Sequence, residues 1–524
     1  MLDTYTQPAV PISDYAIIVN DADNVAVVKN ETSENLALAL PGRGTVVLKQ
    51  SVPPGHRFAT RDIPAGEFVR QYGQPIGTSL GIDRGEWVTH DNMSNDVPVV
   101  RDLPEDLHTA PPDYFPKDET GTFLGFRRPD GRVGTRNFVL IVPTSMCASH
   151  EASQISMMAE FLHYKRERFP NVDGVVAIPH NKGCGCQDGS TLDVMMRTLS
   201  NYADHPNVGG VVLIDLGCEK TNLAYVEKYL TKRDKPIDKP FYKIGIQETG
   251  GTEAAIELGL KYVAEMLPEV NRATREEFPL SELVLGVKCG GSDGFSGISA
   301  NPALGYASDL LIRSGGTVLI TEVPEFCGAE HILANRAKDY ATGRKIYAMI
   351  DWYKDYASRF GAVLNNNPSA GNIAGGLLNI TIKSLGAIAK AGTTRVEDCV
   401  EYAERPRVRG LNLMQGPGYD QESTPGLVAA GATAVIFTTG RGTTIGNAIA
   451  PVIKLASNNA VFERMNRDLD VSAGNIIEGT ESIPQVGTRL FEHLRRVASG
   501  ELPAKAEINK HREFQFWAEQ TVSL

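Results

Sequence analysis

NFVLIVPTSMCASHEASQISMMAEFLHYKRE, residues Asn137–Glu167, opens with an apolar run, Phe138–Val142, and continues after a short turn into helical sequence, Ser149–Glu167. A short continuous apolar run is what a strand buried on both faces requires, and a helix directly after it begins a βαβ crossover. The unit recurs: Val175–Ile178 precedes the helical stretch Thr191–Tyr202, and Val211–Ile214 follows. Such alternation predicts a mostly parallel sheet covered by helices. It restarts at Leu283–Val287, Thr317–Ile320 and Ala434–Phe437, beyond a long polar helix expected over Gly251–Glu276. The predicted fold class is therefore α/β, with a second α/β domain over 121–280 and a C-terminal α/β catalytic domain over 281–524.

Upstream the texture differs. Ala16–Val19, Val25–Val28, Thr45–Leu48 and Glu67–Tyr72 are short apolar runs separated by PGRG, PPGHR and IPAG. That spacing predicts a small all-β, barrel-like module over 1–94. Between Asn95 and Thr120, prolines and acidic residues without periodicity predict a linker over 95–120. The 524 residues thus divide as a length prior of about 150 per domain suggests.

The net charge of -11 argues against a nucleic-acid surface or a polybasic membrane patch, but not against an anionic substrate, which needs only a few local cations. No apolar run reaches the roughly 20 residues of a membrane span. The start, MLDTYTQPAVPISDY, has no basic segment followed by an apolar one, so a cytoplasmic location is expected. There, seven cysteines read as thiols rather than disulfides.

The positions of those thiols point to chemistry. Cys147, Cys184, Cys218 and Cys289 each follow a predicted strand and lie near glycines or turn residues, in PTSMC, HNKGCGC, DLGCE and KCGGSD. Ligands of open α/β sheets collect at that edge, and thiolates from several strands suit iron, zinc or an iron–sulfur cluster. Free cysteine also fills cores, which is the reading given to Cys327 and Cys399. Three glycine-rich loops add polar groups. CGGSDGFSG (Cys289–Gly297) offers backbone N–H groups and the side chains of Ser292 and Asp293. TTGRGT (Thr438–Thr443) presents Arg441 to a carboxylate, and NNNPSAGNIAGG (Asn365–Gly376) presents amides to hydroxyls. His56 in PPGHR and His180 in IPHNKGC are the candidate acid–base histidines.

DNVA (Asp23–Ala26), Gly55-His56, FRRPDGRVGTRN (Phe126–Asn137), DLGCEK (Asp215–Lys220), CGGSDGFSGISANPALGYASD (Cys289–Asp309), TEVPE (Thr321–Glu325) and TTGRGT together resemble the altronate dehydratase/galactarate dehydratase family over essentially the whole chain. The resemblance implies an N-terminal SAF-type β-clip domain, and iron-dependent dehydration of an aldonate or aldarate to a 2-keto-3-deoxy acid. Asn20 stands where the family carries a histidine, Ala370 and Ile373 replace a proline and a lysine, and GRGTTIG replaces G-R-G-T-P-Y-G.

Dehydration of a 2,3-dihydroxy acid removes the proton beside the carboxylate and expels the 3-hydroxyl, so it needs a base, an acid and a stabiliser of the enediolate. The expected metal ligands are Cys147, Cys184, Cys218 and Cys289, holding Fe2+, with an iron–sulfur cluster or another divalent metal as alternatives. His56, His180 and Glu322 are the expected catalytic residues, and Arg136, Ser292, Asp293, Asn301 and Arg441 the expected substrate contacts. The expected partner is a small sugar acid, with no nucleic acid or membrane, and the chain is expected to form a homo-oligomer. Two rivals remain: a sulfolactate-type sulfo-lyase, revealed by sulfite release, and a non-catalytic carbohydrate-binding protein, revealed by binding without turnover. A nucleotide-dependent oxidoreductase is disfavoured because no strand leads into G-x-G-x-x-G.

Overall fold

The computed structural model describes residues 9–230 and 238–518; residues 1–8 of the polar N-terminus lie outside them. The run at 138 forms strand β1 (Phe138–Pro143), and β2 (Gly174–Ala177), β3 (Val208–Asp215) and β4 (Phe241–Gly245) join it in the order β2-β1-β3-β4, all parallel. Side chains alternate between the two faces of a strand. Val139 and Ile141 accordingly meet α1 (Ser149–Leu162) and α3 (Thr252–Val270), while Leu140 and Val142 meet α2 (Ser190–Ala203). Each such fully buried aliphatic side chain contributes about 1.5–3 kcal/mol. The polar helix ends at Val270, short of the expected Glu276. Arg275–Pro279 instead pairs antiparallel with Thr122–Arg127, placing Phe278 opposite Phe123 and closing the start of this region onto its end.

The second parallel sheet has seven strands: β5 (Val284–Cys289), β6 (Thr317–Ile320), β7 (Val396–Val400), β8 (Gly410–Met414), β9 (Ala434–Thr439), β10 (Val452–Ala456) and β11 (Val471–Ser472). Their order is β7-β8-β6-β5-β9-β10-β11. From β5 the chain moves through α4 (Ala300–Arg313) to β6; from β9 it moves the opposite way, to β10. Adjacent strands whose connections diverge leave a crevice outside their carboxyl ends, where open α/β sheets bind ligands. In the smaller sheet β1 and β3 diverge in the same manner. Helix α2 leaves the carboxyl edge of the smaller sheet, and α6 (Asp420–Ala429; α5 is Ile380–Ala387) leaves that of the larger. The two helices share one core, and Lys182, just before α2, lies beside Glu422 at the start of α6, so both edges open on the same side.

Burial, opposed by Lys182, raises the Glu422 carboxyl to about 7. Between its unfolded value near 4.5 and about 7, the native state holds a proton that the unfolded chain has released, so stability falls as pH rises through that window. Thermal melts from pH 4 to 8 should show this decline in the parent chain and a smaller one in Glu422→Gln.

The N-terminal module consists of three small three-stranded sheets, including Val25–Val28 and Phe68–Gln71 near their expected places. It docks on the larger sheet's loops through bare backbone. A Cβ on Gly294 or Gly376 would lie 2.1 Å from Gly55 O, and one on Gly55 would lie 2.6 Å from Gly375 O, so this junction admits only glycine. Residues 95–120 run along the C-terminal region, with Arg101 paired to Glu330 and Asp351. Among the described residues, no helix is long and apolar enough to cross a membrane.

Candidate active site

The asparagine-rich loop, residues 365–376, is the wall that gathers the site. Asn372 Nδ2 donates to Ser292 O at 2.8 Å, on the loop leaving β5. Gly371 faces Arg441 on the loop leaving β9. Asn367 Oδ1 accepts from Lys383 Nζ at 2.8 Å, and Ala374 O lies 3.3 Å from His56 Nε2. Four chemically distinct groups from remote parts of the chain thus border one loop at the crevice between β5 and β9.

His56 comes from the N-terminal module, 8% exposed and edge-on to Trp87. Burial lowers its pKa, keeping the imidazole neutral at pH 7. With the proton on Nε2 donated to Ala374 O, the buried Nδ1 keeps a lone pair without a partner.

Beneath the loop lies a buried ion network. Lys288 Nζ meets Glu322 Oε1 at 2.6 Å and Asp420 Oδ1 at 2.7 Å. Lys390 Nζ meets Glu322 Oε2 at 2.9 Å and Cys289 Sγ at 3.1 Å, and Lys383 Nζ meets Glu325 Oε1 at 2.7 Å. Burial opposes the charge on all three lysines, but the facing carboxylates outweigh it and hold them protonated. Burial, then Glu322, pushes the Cys289 thiol up, so it stays a thiol. Glu322 adopts φ 78°, a left-handed conformation costly for a residue with a Cβ by about 1–3 kcal/mol; its bonds to both lysines and to Cys289 N hold it there. Cys289, Glu322 and Glu325 place three donor atoms within 4.8 Å of one another. Three ammonium groups already balance Glu322, Glu325 and Asp420, so a cation seated there would have to displace a lysine or its proton.

The other thiols stand differently. Cys147, Cys184 and Cys218 are exposed on the loops leaving β1, β2 and β3, and those loops are sewn together. Glu219 accepts from Thr144 Oγ1 (2.8 Å), Ser145 Oγ (3.0 Å) and the N–H groups of Leu216 and Gly217. Thr221 Oγ1 donates to Thr144 O, Met146 N to Lys182 O, and Lys220 Nζ to Cys186 O. The result is three soft sulfur donors on braced loops whose nearby carboxylates, Glu219 and Asp188, already have partners. Sulfur donors of this kind are ones that zinc, copper and iron–sulfur sites use.

Models of three family regions match this chain: the altronate/galactarate dehydratase SAF domain at 14–96, the second domain of D-galactarate dehydratase/altronate hydrolase at 125–271, and the C-terminal region of D-galactarate/altronate dehydratase at 280–522. The galactarate dehydratase (L-threo-forming) of Escherichia coli is 37% identical, over 93% of each chain. The chain belongs to the galactarate/altronate dehydratase family. The altronate dehydratase of Bacillus subtilis is 36% identical, over 93% of this chain and 95% of its own. The (2R)-sulfolactate sulfo-lyase subunit beta of Chromohalobacter salexigens is 33% identical, over 75% of this chain and 96% of its own.

In this galactarate/altronate dehydratase family member, several residues chosen from sequence have their side chains engaged by other partners. His180 uses both ring nitrogens on backbone: Nε2 lies 3.0 Å from Pro143 O, and Nδ1 accepts from Lys182 N. Burial takes its pKa down to about 4, so it braces the Cys184 loop rather than moving protons. Arg136 is forked onto Glu507 and donates to Thr135 O and Val497 O. Arg136→Met should leave substrate KM unchanged and cost about 3 kcal/mol in denaturant melts, because the pair is buried. Asp293 spends its carboxylate on Ser296, Ser457, Asn458 and the N–H of Phe295, knotting the loop from within. Asn301 bridges Gly386 O and Thr438 Oγ1. Glu322 is sealed under its lysines, and Cys289 lies with it, apart from the thiols of the smaller sheet.

Sequence reasoning missed Lys288, Lys383, Lys390, Glu325 and Asp420. Lys288 carried a signal, a charge inside the otherwise apolar strand VLGVKC. So did Lys383 and Lys390, which share one side of ITIKSLGAIAK, a stretch with almost no other polar residue.

Proposed function

We propose that the chain dehydrates a sugar acid, an aldonate or aldarate, to a 2-keto-3-deoxy acid, with iron as cofactor. The observation that carries this reading is the wall at 365–376, which holds a neutral histidine, an arginine and a lysine–carboxylate network on one crevice. Arg441, exposed on its loop, forks onto the substrate carboxylate. His56 Nδ1 takes the proton from the carbon beside the carboxylate. Lys383, at the edge of the buried network, hands a proton to the departing hydroxyl and is recharged through Glu325 and its neighbours. The asparagine amides orient the remaining hydroxyls. Cys147, Cys184 and Cys218 hold the iron, which when bound supplies Lewis-acid stabilisation of the negative charge that builds on oxygen.

Relatives named for galactarate and altronate support a sugar-acid substrate, and Ile373 and Ile445, at positions where the family has a lysine and a tyrosine, bear on which one. The test is an anaerobic screen of aldonates and aldarates with ferrous iron. A 2-keto-3-deoxy product from any of them supports the reading. Sulfite from sulfolactate, or binding of sugar acids without turnover, overturns it.

A further inference from the structure

We infer that a cleft at the amino edge of the two parallel sheets binds a phosphate group, free or carried by a small organic molecule, at a site separate from the crevice of the proposed function. The cleft holds about 370 Å³, within the range of small-ligand sites, roughly 300–1,000 Å³. Phe138, the first residue of β1, lies in its wall, and so does Ala450, just before β10 begins at Val452. The loops of the candidate active site leave the opposite, carboxyl ends of these sheets. Strand β1 spans six residues at about 3.3 Å each, so the cleft stands roughly 15–20 Å from the loop that carries Cys147.

Charge carries the inference. Arg136, Arg166, Arg275, Lys510 and Arg512 line the cleft, in a chain whose net charge is -11. Three carboxylates answer them. Glu507 takes Arg136, Asp173 takes Arg166 at 3.4 Å, and Glu160 is shared by Lys510 at 3.2 Å and Arg512 at 2.8 Å. Arg275 makes no ion pair among the described residues; its guanidinium donates to the carbonyl oxygens of Leu124, Ala498 and Thr135. Thr135 O also accepts from Arg136, so two guanidinium groups crowd one oxygen. Burial, and then Arg136, lowers the Arg275 pKa to about 10, which leaves it charged at pH 7. Two positive charges are thus left over beside a cavity. A phosphate monoester carries about -1.5 to -2 at pH 7 and offsets both, whereas one carboxylate offsets a single charge. The planar forks of arginine also match phosphate oxygens in pairs. Phe138, Leu502 and Ile508 supply an apolar side for an organic group attached to the phosphate.

The test is calorimetric titration of the full chain at fixed ionic strength, in phosphate-free buffer, with glycerol phosphate in one arm and inorganic phosphate in the other. One saturable site per chain, with Kd below about 1 mM, is expected. Tighter binding of the ester assigns the site to a phosphorylated metabolite; equal or tighter binding of inorganic phosphate assigns it to the free ion. The double variant Arg166→Gln, Lys510→Gln removes two exposed charges and should weaken binding at least ~10-fold, while the unliganded chain melts as the parent does. Arg275→Gln should weaken it as much. Arg441→Met, altered in the crevice alone, should bind as the parent does. No saturable heat with either probe overturns the inference, as does parent affinity in the double variant. Binding lost in Arg441→Met but kept in the cleft variants places the anion in the crevice and overturns it as well. None of these outcomes depends on turnover, so the inference and the proposed function fail separately.

Discussion

Serine in place of Cys147, Cys184 or Cys218 is expected to lower turnover at least ~100-fold, since changes one shell further out already cost up to that much at metal sites. Unfolding free energy should move by no more than about 0.5 kcal/mol, because all three side chains are exposed. Cys289→Ser should behave in the opposite sense. Its thiol is buried against Lys390 and Glu325, so the change perturbs folding while bound iron stays at the parent level. Steady-state rates, iron analysis and urea melts on the four variants separate these outcomes. Loss of iron in Cys289→Ser alone would move the metal into the ion network.

Lys390→Met carries the second large effect. The lysine, itself fully buried, contributes one of three positive charges to the network and is bonded to Glu322 and Cys289. Removing it leaves Glu322 short of a partner where water cannot compensate, a situation that costs about 3–5 kcal/mol. It also frees the Glu322 carboxylate from one of the two ammonium groups that hold its left-handed backbone. The loops at the ends of β5 and β6 should loosen, with kcat falling by about 10²-fold or more as Lys383 and Glu325 shift. Lys390→Arg keeps the charge and should recover part of the stability. A Lys390→Met chain as stable and active as the parent would reduce the network to filler.

The parallel strands were legible because a strand buried on both faces must be apolar without interruption, and Phe138–Pro143 satisfies that rule locally. Arg275–Pro279 was not, since REEFP has no such signature and becomes a strand only because Thr122–Arg127 presents Phe123 to it. The loops at 289, 365 and 438 stood out as glycine and amide clusters at strand ends, and the structure brings them together at one crevice. Their division of labour was not legible. Asp293, Asn301 and Arg136 are residue types that bind ligands, yet their partners are internal, and Glu507 is 371 positions from Arg136. The surroundings of Cys289 were hidden for the same reason: sequence shows that it follows a strand, but not that lysines wait around it.

The most direct test of the account is anomalous diffraction at the iron edge from crystals grown without oxygen. The predicted result is iron density at the mouth of the loops carrying Cys147, Cys184 and Cys218, with none near Lys288 and Lys390. Density between Cys289, Glu322 and Glu325, or no iron in a chain that still eliminates water, would contradict it.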